Sequence, residues 1–114
     1  MYKAAISLVF ALFVSAVPAM AHPPEKIDIT YDLSTKKMTS VITHPVKDPA
    51  KHFIKKADIG MNNKTRFTKE FTKQDNNTTQ TVEVDMPYLK PGDTAFVAGH
   101  CNISGSKKEK LVVK

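Results

Sequence analysis

Apolar residues alternate with polar ones by two along most of this chain, and no stretch sustains the three- and four-residue spacing of an amphipathic helix. Ile27, Ile29 and Tyr31 alternate with Asp28 and Thr30, which predicts a strand. A polar turn over 32–37 then leads into a returning strand, Met38–Thr43. Phe53–Met61 resumes the alternation, with Ala57, Ile59 and Met61 on one side. Asn62-Asn63-Lys64 predicts a tight reversal, because asparagine tolerates positive backbone φ. Thr65–Phe71 follows with Phe67 and Phe71, and a polar loop over 73–77 leads to Thr79–Met86, where Val82, Val84 and Met86 share a face. In Lys90-Pro91-Gly92-Asp93 the proline presets φ and the glycine permits the turn. Thr94–Cys101 and Glu109–Val113 complete the series. About seven short strands separated by turns predict an all-β fold, an immunoglobulin-like antiparallel β-sandwich.

The first 21 residues do not share this pattern. A short positive start, an apolar run from Ala4 to Val17 and the small residues of Ala19-Met20-Ala21 predict a secretory signal peptide cut after Ala21. The domain is then 22–114, periplasmic or secreted, with no membrane attachment after cleavage. A membrane anchor is the competing reading, because the apolar span approaches bilayer thickness. The cleavage pattern and the polar sequence directly after it favour export.

The full chain carries a net charge of +6, but its lysines are dispersed and no base-stacking aromatic motif accompanies them. Nucleic acid is therefore not an expected partner. A positive field draws small anions, although a solvated lysine-rich face explains the same composition. The Asn-x-Ser/Thr triplets at Asn63, Asn76, Asn77 and Asn102 have no further support as glycosylation sites.

Histidine and cysteine change the picture more than charge does. The single cysteine, Cys101, can form no internal disulfide, and an unpaired thiol is unusual in an oxidising compartment. It is either a small buried hydrophobe or a metal ligand. Within Thr94–Cys101, alternation sends Ala95, Val97, Gly99 and Cys101 one way and Phe96, Ala98 and His100 the other. His100 and Cys101 should therefore not share a metal unless a bulge intervenes. His44 and His52 bracket a loop stiffened by Pro45 and Pro49, an arrangement that suits paired ligands and also suits two exposed loop histidines. Cleavage after Ala21 would make His22 the first residue, able to chelate through its α-amine and ring as a histidine brace; otherwise it belongs to a frayed terminus.

The order His22-Pro23-Pro24, His44-Pro45, His52-Phe53-Ile54, Cys101-Asn102-Ile103-Ser104-Gly105 resembles the iron domain of superoxide reductase, the neelaredoxin and desulfoferrodoxin family, over nearly all of 22–114. The resemblance implies an immunoglobulin-like sandwich holding non-haem ferrous iron that reduces superoxide to hydrogen peroxide, with an external electron donor. It further implies His22, His44 and His52 as equatorial ligands and Cys101 as the axial thiolate. Three departures stand beside it. Ser104 replaces the family's fourth histidine, Met20 and Ala21 replace its Glu-Lys pair, and the loop from His44 to His52 is longer. The expectation is thus an exported metal-binding protein at His22, His44, His52 and Cys101, with iron by resemblance and copper as the alternative. Two non-catalytic readings accompany it: a copper or iron carrier, and a metal-free interaction module.

Overall fold

The alternation by two resolves into seven strands in the computed structural model, which describes residues 22–114; the expected signal peptide lies outside the described residues. The strands are β1 (Lys26–Asp32), β2 (Lys37–Thr43), β3 (Ile54–Met61), β4 (Lys64–Glu70), β5 (Thr79–Asp85), β6 (Thr94–Cys101) and β7 (Ser106–Val112). They form two antiparallel sheets, ordered β1-β2-β5 and β4-β3-β6-β7. The all-β, immunoglobulin-like sandwich expected from the sequence is borne out. Among the described residues no helix is long and apolar enough to cross a membrane.

Each sheet buries one face against the other. The first contributes Ile27, Met38, Ile42, Val82 and Val84, and the second Ile54, Ala57, Ile59, Ala95 and Val97. Met38, Ile42, Ile54 and Ile59 have no exposed surface, and full burial of such a side chain contributes about 1.5–3 kcal/mol. The turns follow the chemistry read from the sequence: Asn62 and Asn63 take φ of 50° and 69°, and Gly92 takes 96°.

Several strand ends differ from expectation by one residue, and the start of β7 differs by three. β3 begins at Ile54 rather than Phe53, and its pairing with β6 shifts register between Ile54 and Lys56. β7 begins at Ser106 rather than Glu109, because Gly105 adopts φ of 92° and lets β6 reverse within Asn102–Gly105. Polar Ser106, Lys107 and Lys108 thus extend a strand whose alternation is visible only in its apolar half.

His100 lies on the outer face of its sheet, as alternation requires. Its Nε2 is 2.9 Å from Asp58 Oδ2, and Thr68 Oγ1 donates to Asp58 Oδ1 at 2.8 Å. Burial raises the Asp58 pKa, but the hydrogen bonds from Thr68 and His100 and the charges of His100 and Lys56 outweigh it, holding the carboxyl below its usual range. The unfolded chain therefore binds the proton first as pH falls. The network's contribution is present above the ordinary carboxyl value, about pH 4, and is lost as pH drops through the lower folded value. Asp58→Asn is expected to narrow the difference between the unfolding free energies measured by urea titration at neutral and acid pH, by no more than ~1 kcal/mol. An unchanged difference would remove Asp58 from the acid response.

Candidate metal centre

Strand parity carries three of the four candidate residues to one end of the sandwich. Met38, Ser40 and Ile42 occupy successive inward positions of β2, and His44 takes the next inward position just beyond the strand. His52 stands two residues before buried Ile54, at the start of β3, and Cys101 ends β6 opposite Ile54. His22 arrives from the segment preceding β1. Glu25 N–H donates to Thr43 O at 2.8 Å, tying that segment to the end of β2.

The loop between His44 and His52 contains a tight turn. Lys51 and His52 N–H both donate to Asp48 O, at 3.0 and 2.9 Å, and Ala50 N–H donates to Asp48 Oδ1 at 3.0 Å. Asn102 then fastens this turn to the cysteine hairpin. Its Oδ1 accepts from Phe53 N–H at 2.9 Å and its Nδ2 donates to Lys51 O at 3.0 Å, so one side chain grips both neighbours of His52.

The three rings meet. Centroids of His22 and His44 are 4.8 Å apart, those of His22 and His52 5.1 Å, and those of His44 and His52 4.9 Å. One nitrogen from each lies within 4.8 Å of the others, which makes the trio a possible metal-binding cluster. His44 is fully buried, His52 is buried and His22 half-buried. Cys101 is buried beside them, its Sγ 3.2 Å from His52 Nε2 and 3.4 Å from the Ile103 N–H that donates to it.

The polar atoms around the rings make this arrangement suited to a cation. His44 Nδ1 and Nε2 face Gln74 Oε1 at 2.9 Å and His22 O at 3.2 Å. His22 Nδ1 and Nε2 face Pro23 O at 3.1 Å and Pro45 O at 3.0 Å. A neutral imidazole has one N–H, so in each ring one lone pair is directed at an oxygen. A metal ion accepts such lone pairs. Nitrogen and sulfur donors without a carboxylate suit a transition metal rather than calcium or magnesium, but they do not select among transition metals. Burial and then the charges of His44 and His22 hold the His52 pKa below its ordinary value, which favours the neutral, ligating form.

Ser104 is exposed in the turn after Cys101, and none of the cluster's hydrogen bonds ends on it. The same turn nevertheless supports the site. A Cβ added to Gly105 would stand 2.8 Å from Pro23 N and 2.9 Å from Pro23 Cα, so the glycine lets the hairpin close against the residue after His22. His100, directed at Asp58, is not part of the cluster.

Gln74 has no counterpart among the candidates read from the sequence. It sits in what reads as a polar loop, yet it is buried and touches His44 directly. Its only sequence signal is a glutamine among charged and amide residues, which carries no information about burial. No protein family, curated protein or solved structure matches this chain.

Proposed function

We propose that this chain is an exported metal-binding protein of the superoxide reductase kind, with His22, His44, His52 and Cys101 as ligands and non-haem iron as the metal. The observation that supports it most is the meeting of three histidines, with nitrogens within 4.8 Å, beside the buried Cys101. These residues stand out by their own ligand chemistry, and the resemblance predicts their joint role. Ferrous iron held there would supply single electrons for reduction of superoxide to hydrogen peroxide, with an external donor returning them. The chain's own part is to keep His52 neutral, to place the sulfur beside it and to exclude water from His44.

The exposed position of Ser104 favours a second reading, in which the protein carries iron or copper without turnover. A hydroxyl is a poor replacement for imidazole on Fe(II), so the family's ligand set is incomplete at Ser104. Copper suits a brace formed by the His22 ring and its free amine, should export cut after Ala21.

Anaerobic loading with Fe(II), followed by oxidation, separates these readings. A thiolate-to-Fe(III) absorption band in the wild type, absent in Cys101→Ser, is the expected result. Superoxide consumption by the loaded protein would favour the reductase, whereas a band without consumption would favour the carrier. Absence of iron binding and of copper binding together would overturn both.

A further inference from the structure

Gln74 lies in the loop joining β4 to β5, where its neighbours brace the backbone. Asp75 Oδ2 accepts from Thr81 N–H at 3.0 Å, and Asn76 Oδ1 accepts from Thr78 and Thr79 N–H at 2.9 and 2.8 Å. Gln74 N–H donates to Pro49 O at 2.9 Å, binding this loop to the one between His44 and His52. The side chain is 2% exposed, so its amide must be satisfied from within.

The partners determine which way the amide points. Nε2 donates to two carbonyls, His44 O at 2.8 Å and Asn76 O at 3.1 Å. Oε1 accepts from Ile54 N–H at 3.2 Å. The reversed amide would place a donor against the Ile54 N–H and an acceptor against both carbonyls. With Oε1 so fixed, the 2.9 Å contact to His44 Nδ1 requires the proton on Nδ1. The lone pair of a neutral His44 is then on Nε2, the nitrogen 3.2 Å from His22 O.

We propose that Gln74 is a positioning residue of the metal site: it holds His44 in the Nδ1–H tautomer and presents Nε2 as the ligand atom. This rests on the metal reading of the cluster. Supporting hydrogen bonds of this type set ring orientation and ligand basicity, and their loss lowers metal affinity roughly 10–100-fold. The same side chain also joins the end of β2, through His44 O, to the start of β3, through Ile54 N–H. It therefore fixes both where the His44 ring stands and which nitrogen it offers.

The test uses two readouts, one of them independent of metal. Long-range 1H–15N NMR on the metal-free protein at about pH 8, above the ordinary imidazole value, should show His44 protonated at Nδ1. Gln74→Leu should release this preference and weaken Co(II) binding roughly 10–100-fold. Gln74→Glu keeps an acceptor for Nδ1–H and Ile54 N–H but loses both amide donations. It should melt earlier than wild type yet retain the tautomer and bind Co(II) more tightly than Gln74→Leu. A purely structural glutamine predicts equal loss of Co(II) affinity in both variants, and that result would overturn the proposal. So would a wild-type His44 protonated at Nε2. Should Gln74→Leu not fold, the wild-type tautomer and Gln74→Glu decide the question, the latter supporting the proposal if Co(II) affinity stays within about tenfold of wild type and overturning it otherwise. Wild-type protein that binds no Co(II), and neither iron nor copper, would overturn the metal reading and with it the ligand role of His44, while the NMR result separately judges the contact to Gln74.

Discussion

Replacing His44 with alanine is expected to cost the protein its metal and part of its stability together. His44 is fully buried, makes a 2.9 Å contact to Gln74 and contributes a nitrogen to the cluster. Loss of a ligand should lower Co(II) or Fe(II) affinity by more than the roughly 10–100-fold carried by a supporting residue. The missing ring also leaves a cavity and deprives Gln74 Oε1 of one donor, a combined cost of about 2–3 kcal/mol. His22→Ala supplies the contrast. That ring is half-buried and its nitrogens face only the carbonyls of Pro23 and Pro45, so its removal should lower metal affinity while moving the urea midpoint less than His44→Ala does. Equal metal affinity in wild type and His44→Ala would show that the three rings do not form the binding site.

Parity explains much of the site, although the sequence-based expectation rests on it for Cys101 and His100 and not for His44. Met38, Ser40, Ile42 and His44 stand at every second position, so a buried β2 face carries His44 inward with it. The same reasoning separated Cys101 from His100 one residue away, and the structure places Cys101 beside His52 and His100 against Asp58. Asn62-Asn63 and Pro91-Gly92 specify turns through their own backbone preferences, without help from the rest of the chain. The approach of His22 was different. No local pattern brings it to His44, 22 positions away; only the family resemblance anticipated that meeting. Gln74 was illegible for a related reason. Its role depends on partners 20 and 30 positions distant, and a glutamine in a loop is ordinarily solvated. The extension of β7 through Ser106 was hidden because pairing with β6 through backbone hydrogen bonds does not require apolar side chains.

A large loss of stability is expected from Ile42→Ala, and its position also tests how firmly the core supports the metal centre. Ile42 has no exposed surface and reaches across the sandwich, where its Cδ1 would lie 3.2 Å from a Cβ added to Gly99. Truncation removes three methyl or methylene groups and leaves space that neither sheet can close without breaking register. The expected cost is about 2–5 kcal/mol, or a fall in melting temperature of at least ~8 °C for a domain of this size. Ile59→Ala, at an equally buried position of β3 farther along from His52, should cost a similar amount. The two variants should part company on metal binding. Ile42 is the inward residue immediately before His44, and the cavity removes packing that holds the end of β2 against β6. Co(II) affinity should therefore fall further in Ile42→Ala than in Ile59→Ala at matched stability. Equal affinities would mean that the hydrogen bonds made by Gln74, rather than packing beneath His44, hold the ligand in place.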